Sequence, residues 1–244
     1  MSGHNKWSTI KHKKAKTDAA RSQSWTKVVR ELIVAAQSGT DPEFNSSLRL
    51  AIQKAKACNM PKDNIERAIK RGSGEGETVH YDQNVYEGYG AGGVAILIDT
   101  LTDNKNRTVA NIRSMFSKNG GQMGEAGSVA WQFKTQGQIT LSGDNDADEV
   151  MMAALDAGAE DVNEDGVIIT APGDVAAVSK KLEEAGYTID TMEITKVAQN
   201  LLKVDEKAAA SILKLCGIFE DDDDVQNVYT NADISDEIME KLDM

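Results

Sequence analysis

Residues 135–198 constrain the fold more than any other stretch, because the order of their elements admits one simple arrangement. A strand signal at Gln138–Leu141 gives way to helical spacing over Asp146–Asp156. A hairpin comes next, Ala159–Asn163 and Val167–Ala171, about the turn residues Glu164, Asp165 and Gly166. Helix Asp174–Glu184 and strand Thr188–Ile194 complete a β-α-β-β-α-β order. That is the pattern of a split βαβ plait, four strands with two helices.

The flanks of this stretch carry the parts of a second plait. Before it lie the apolar strand Val94–Leu101 (VAILIDTL), a helix with Val109, Ile112 and Phe116 inward, and the alternating strand Ser128–Phe133. Thr102 or Asp103 is the expected cap of that helix, and Asn119-Gly120 its end. After it come strand Leu201–Val204, helix Glu206–Ile218, strand Val225–Tyr229 and a short helix Ser235–Leu242. One plait is therefore expected to be inserted within the other.

The N-terminal part is helical. Trp25, Val28, Val29, Leu32, Ile33 and Ala36 have helical spacing after a cap at Thr17 or Asp18, and Gly39 ends the run. Asp41-Pro42 reads as the start of a second helix with Leu48, Ala51, Ile52 and Ala55 inward. Asn59-Met60-Pro61 breaks it, and a third helix runs to Arg71 with Ile65, Ala68 and Ile69 inward and Gly72 as stop. The expected fold class is α+β, an N-terminal three-helix domain followed by two ferredoxin-like (split βαβ) α/β domains, one inserted in the other. Expected boundaries are 1–78 for arm, helices and the linker GSGEGET, 79–134 with 199–244 for a discontinuous α/β domain, and 135–198 for the insert.

Charge divides the chain sharply. Residues 1–72 hold 15 Lys/Arg against 6 Asp/Glu, whereas the remainder holds 12 against 33. Such asymmetry points to an anionic polymer or surface at the basic end, with the acidic part repelling it elsewhere. The basic residues expected to meet it are Lys6, Lys11, Lys13, Lys14, Lys16, Arg21, Lys27 and Arg30 on the arm and first helix. Lys62, Arg67, Lys70 and Arg71 of the third helix join them. Trp7 and His12 interleave with the lysines, where an aromatic ring can stack on an exposed base. Lys27 and Arg30 fall off the apolar stripe of their helix and are expected to stay solvated.

Other motifs carry less. Gly88, Gly90 and Gly93 match G-x-G-x-x-G, but a dinucleotide site needs the strand before the glycines and a helix after them. Here the strand comes after them, so the stretch reads as a tight loop before a sheet edge. Arg107, Arg113 and Lys118 either extend the basic surface or are ordinary exposed helix charges. Asp221–Asp224 lacks the alternating ligands of a calcium loop and reads as a solvated, repelling loop. His4, His12 and His80 form no metal spacing with cysteines or acids, and no nucleophile or phosphate-loop motif is present. The expectation is a protein that is not an enzyme and has no cofactor. Cys58 and Cys216 sit in apolar helical contexts and read as reduced, buried residues. No apolar run approaches the ~18 residues of a membrane span, so no membrane is expected as partner.

Four blocks resemble the YebC family, also called PmpR. They are GHNKWSTIKHKKAKTDAARS (Gly3–Ser22), NMPKDNIERAIKRG (Asn59–Gly72), EGYGAGGVAILIDTLTDNKNRTVANIR (Glu87–Arg113) and FSKNGGQMGEAGSVAWQF (Phe116–Phe133). The family opening reads GHSKW, and Asn5 stands here in place of its serine. The resemblance implies three domains and no enzymatic activity. Because it begins at residue 2, it favours a cytoplasmic bacterial member over one with a presequence. Family members are described as probable DNA-binding transcriptional regulators. Relatives, a mitochondrial translational activator among them, are linked to translation, with bacterial ones implicated at proline-rich stretches. Two partner classes stay open: DNA, or ribosomal or transfer RNA with the ribosome. A monomer is the expected oligomeric state.

Overall fold

Helix α1 (Asp18–Ala36) opens the structure, a computed structural model that describes residues 18–75 and 79–242, with side chains of α1 from Trp25 onward. Val28, Leu32, Ile33 and Ala36 of α1 are buried against Leu48, Ala51 and Ala55 of α2 (Ser46–Ala57) and Ile65 and Ala68 of α3 (Lys62–Gly72). Each such leucine or isoleucine contributes about 1.5–3 kcal/mol by leaving water. Helix α2 begins later than Asp41-Pro42, which forms a turn with Phe44 N–H donating to the Asp41 carbonyl at 3.2 Å. The cap is Asn45. Its side-chain oxygen accepts from Leu48 N–H at 3.0 Å, while its amide donates to the Ala35 and Gly39 carbonyls, both at 2.7 Å. One side chain thus satisfies the ends of two helices, which Asp41 cannot do from four residues away. Asn59 takes a left-handed φ of 55° to end α2. Gly72 is the last residue of α3 and not its stop. A Cβ there would lie 2.3 Å from the Ile33 carbonyl oxygen and 2.7 Å from the Ala36 Cβ, so glycine lets α3 approach α1.

Strands β1 (Asp82–Tyr89) and β2 (Ala95–Thr102) lead to α4 (Lys105–Lys118) and the two-residue β3 (Gln122–Met123). Next come β4 (Phe133–Leu141), α5 (Ala147–Ala157), β5 (Asp161–Val162), β6 (Ile168–Thr170), α6 (Val175–Glu184) and β7 (Ile189–Ala198). The chain closes with β8 (Leu202–Lys203), α7 (Glu206–Glu220), β9 (Val225–Thr230), β10 (Ala232–Asp233) and α8 (Asp236–Leu242). Residues 134–197 make one compact unit, and the rest of the described chain makes a second.

Within residues 134–197 the sheet order is β5-β6-β4-β7. Its antiparallel register runs from Gly137 opposite Thr170 to Ile139 opposite Ile168. This is the plait that the element order implies. In the second unit the sheet order is β3-β1-β2-β9. Strand β1 pairs antiparallel with both β2 and β3, so β2-α4-β3 is a split βαβ with β1 between its parallel strands. Helices α4 and α7 pack on one face, where the rings of Phe116 and Phe219 lie 4.7 Å apart. Gly88 is on β1 beneath them; a Cβ there would come within 2.6 Å of the Phe116 ring. The glycines of EGYGAGG therefore serve close packing and the β1–β2 turn, and this hairpin lies inside the sheet and not at its edge.

Two expected strands take other forms. Ser128–Phe133 is a loop with a single 3₁₀ turn at Ala130–Gln132, from which β4 starts. The cause is Glu87, whose buried carboxylate accepts the N–H groups of Gly127, Val129 and Ala130 at 2.6, 2.6 and 2.7 Å. Those donors are taken from any ladder, and the loop folds over Ala95, Leu97 and Tyr229 on the face away from the helices. Leu201–Val204 keeps only β8, which pairs parallel with β10 outside the four-stranded sheet. Both edges of β2 are already occupied by β1 and β9. The helix after β2 is capped by Asn104, which accepts from Arg107 N–H at 3.1 Å, and not by Thr102 or Asp103.

Candidate nucleic-acid interface

Helix α3 carries its cations outward. Ile65 and Ala68 point into the three-helix core, so the intervening positions Lys62, Arg67, Lys70 and Arg71 are exposed, as their place off the apolar stripe requires. Lys62 lies 3.6 Å from Glu66 across one turn, and Arg67 donates to the Asn64 side chain at 2.7 Å. These contacts are within the helix surface and leave the charges in solvent. Asp63 and Glu66 lie among these cations, and the one amide side chain of α3, Asn64, is half-buried with its oxygen taken by Arg67. The surface suits phosphate contact better than the reading of base edges.

Helix α1 treats its cations differently. The Arg30 guanidinium donates to the Leu101 carbonyl at 3.0 Å, to the Asp224 carboxylate at 2.8 Å and to the Asp223 carbonyl. Its side chain is only 12% exposed, and it stacks over the Tyr81 ring with its central carbon 5.5 Å from the ring centroid. The Lys27 ammonium donates to the Glu220 carbonyl. The expectation that these two residues stay solvated is thus corrected. Falling off the apolar stripe of α1 turns them toward acceptors at the end of β2 and around the β9 entry. Lys6, Trp7, Lys11, His12, Lys13, Lys14 and Lys16 lie outside the described residues; Arg21 lies on α1, but its side chain is likewise outside them.

The partner of Arg30 comes from the acid run. Asp224 is 3% exposed and is no solvated loop residue. Besides Arg30, its carboxylate accepts from Arg107 at 2.9 Å, Thr108 at 2.7 Å and Thr102 at 3.2 Å. Burial alone would raise its pKa. The hydrogen bonds from Arg107, Thr108 and Arg30, and the charge of Arg30, outweigh that and hold the carboxyl below the usual carboxylate range. Hydrogen bonds to Asp224 and Asp103 push the Arg107 guanidinium further up, so it is permanently charged. A cleft of about 600 Å³ opens over this cluster, where the guanidiniums of Arg30 and Arg107 are outnumbered by the carboxylates of Asp103 and Asp221 to Asp224. Its net negative charge opposes phosphate.

Sequence reasoning singles out none of these roles. The clue is the isolated threonine pair, Thr102 and Thr108, bracketing a helix start opposite an aspartate, which becomes readable only once β2 and β9 are neighbours. Of the remaining candidates, Arg107 is tied to Asp224 and Asp103, whereas Arg113 and Lys118 are exposed. Trp131 is 68% exposed, with its indole N–H donating to the Ser128 carbonyl at 3.1 Å. Burial pushes the Cys216 thiol up, so it stays protonated; Cys58, expected to be buried as well, is only half-buried and likewise forms no disulfide. Among the described residues no group of histidine, cysteine or acidic side chains has the arrangement of a metal site. None of the described helices is long and apolar enough to cross a membrane.

Known proteins resemble this chain in sequence and in fold. Residues 5–75 match the family model for the TACO1/YebC protein N-terminal domain, and residues 81–232 match that for the TACO1/YebC second and third domain. A probable transcriptional regulatory protein of Geobacter sulfurreducens is 53% identical over 246 residues, covering 99% of this chain and all of the relative. One from Acidithiobacillus ferrooxidans is 54% identical over 247 residues, covering 100% of this chain and 99% of its own. The crystal structure of a conserved hypothetical protein from Aquifex aeolicus superposes with a TM-score of 0.83 at 40% identity, covering 92% of this chain and 95% of that one.

Proposed function

The chain belongs to the TACO1/YebC family, and from that premise we propose that it is a non-enzymatic, nucleic-acid-binding regulator of gene expression. The observation that carries this reading is the exposed cation row of α3, Lys62, Arg67, Lys70 and Arg71. It belongs to a segment, residues 1–72, in which 15 Lys/Arg face 6 Asp/Glu. On this reading the arm residues Lys6, Lys11, Lys13, Lys14 and Lys16 also neutralise phosphates, and Trp7 and His12 stack on bases. Neutralising phosphates and releasing their counterions supplies affinity without a choice of sequence. Relatives that are named probable transcriptional regulatory proteins support regulation of transcription; on this reading DNA is the partner and the protein acts in the cytoplasm as a monomer.

One observation favours a second reading, a ribosome-associated factor that binds RNA and acts on translation at proline-rich stretches. The outer face of α3 has no evident set of base-reading side chains and is only 11 residues long. Recognition by charge and shape, with little readout of base edges, is the mode of folded RNA. Crosslinking in living cells followed by sequencing of the recovered DNA and RNA separates the two. Enrichment of discrete promoter regions is the expected result of the first reading. Enrichment of ribosomal or transfer RNA with no promoter DNA overturns it in favour of the second.

A further inference from the structure

Helix α5 presents two apolar stripes where the plait needs one. Val150, Ala154 and Ala157 are buried and hold the helix to its own unit. Met151, Met152 and Leu155 are 42%, 69% and 50% exposed. At 100° per residue they fall on the side of the helix turned away from the buried stripe, spaced so that 151 and 155 stack one turn apart. Asp148 lies among them, and Glu149 and Asp156 flank them, all exposed. Asp146 caps the helix through the N–H groups of Asp148 and Glu149, both at 3.0 Å, and Gly158 ends it in a left-handed conformation, so the stripe is fixed in a well-formed helix.

Charge restricts what can cover this face. Residues 134–197 hold 14 Asp/Glu against 4 Lys/Arg. Lys134 pairs with Glu160 at 3.1 Å, and Lys181 donates to the Ala157 carbonyl at 2.9 Å, so part of this small positive charge is already engaged within the unit. A nucleic acid would be repelled. A second copy meeting the same face by two-fold symmetry would set Asp148, Glu149 and Asp156 against their own equivalents.

We propose that the Met151–Met152–Leu155 face of α5 docks a basic amphipathic segment of a partner protein, its apolar side chains on the methionines and leucine and its lysines or arginines on the flanking acids. Methionine suits the role because its flexible thioether adapts to differently shaped apolar anchors. An exposed apolar stripe rimmed by charge is the usual form of a helix-docking surface. The inference does not depend on which nucleic acid the basic end binds.

The test uses the full chain and a synthetic helical peptide of about 18 residues, long enough for five turns, with leucine on one face and lysine on the other, titrated by fluorescence anisotropy. The lysine peptide is expected to bind, and its glutamate-for-lysine counterpart is not. Replacing Met152→Ser together with Leu155→Ser should weaken the lysine peptide about tenfold. Both positions are exposed, so an unchanged melting temperature confirms that the variant is folded. A photo-crosslinking residue placed at 152 in cells should map to a Lys/Arg-rich peptide of another protein. Equal binding by the double variant, equal binding of the glutamate peptide, or a crosslink that leads to nucleic acid or to a second copy of this chain overturns the proposal.

Discussion

Helices α1 and α3 belong to one three-helix core and read alike in sequence, apolar on one face and basic off it, yet their cations have opposite surroundings. Lys62, Arg67, Lys70 and Arg71 on α3 stand in solvent. Arg30 and Lys27 on α1 are consumed by acceptors on the α/β part: Asp224 and the Asp223, Leu101 and Glu220 carbonyls. A count of positive charge treats the two helices as one surface. The structure separates a set available to a polyanion from a set that fastens the basic helices to the sheet. A lysine or arginine offers nucleic acid nothing if its donors already have better-placed acceptors within the fold.

The contrast between the two helices breaks most visibly at Asp224. Replacing Asp224→Ala leaves Arg30 with its charge largely shielded from water and without its carboxylate, and removes an acceptor of Thr108. The expected loss is about 3 kcal/mol in denaturant unfolding, whereas Asp223→Ala, which keeps its backbone acceptor, should change stability by less than about 0.5 kcal/mol. Equal effects would mean that the acid run acts as a unit and that the buried carboxylate has no special place.

Acid gives a smaller and graded version of the same break. The Asp224 pKa is lowered in the fold, so its contribution is fully present above the unfolded carboxyl value of about 3.9 and is lost as pH falls through the folded one. The difference in melting temperature between the wild type and Asp224→Asn should therefore be constant near neutrality and shrink below about pH 4. A difference that persists unchanged into stronger acid would show that the carboxylate charge is not what holds the helices.

The smallest effect on stability is expected at α3. Lys70→Ala with Arg71→Ala should leave the unfolding free energy within about 0.5 kcal/mol of wild type, since neither side chain is buried. On duplex DNA the same pair should flatten the dependence of log K on log salt by about 0.9 for each phosphate that the variant no longer neutralises, with all sequences weakened alike. An unchanged salt slope would remove α3 from the interface and leave the charge of the arm to account for binding.

Legibility in the sequence differs from element to element. The inserted plait is readable because its two helices and the longer strands β4 and β7 show their own period, and the hairpin turn at Glu164-Asp165-Gly166 marks the short β5 and β6 between them. The second plait is readable in its helices and in β2 and β9, but not in its remaining strands. Strand β1 carries no clear strand signal, whereas Ser128–Phe133 carries one and forms no strand. Its alternation is real, but Glu87 from another strand captures its N–H groups. The exposed cations of α3 are legible as a helical face. Arg30 is not, since nothing near it in the chain announces Asp224, 194 residues away.

The amino-acid sequence by itself determined the features set by local spacing: the three helices, the order of the insert, the segregation of positive charge at one end, and the apolar faces that make each core. Tertiary structure alone decided which of those charges remain free. Hydrogen-bond acceptors such as the Asp224 carboxylate and the carbonyls at strand ends become concentrated only when distant segments meet. A buried charge is tolerated only where such acceptors converge on it. Helical spacing could show that Arg30 and Arg71 both leave the apolar stripe; only the packed fold shows that one meets aspartate and the other meets water.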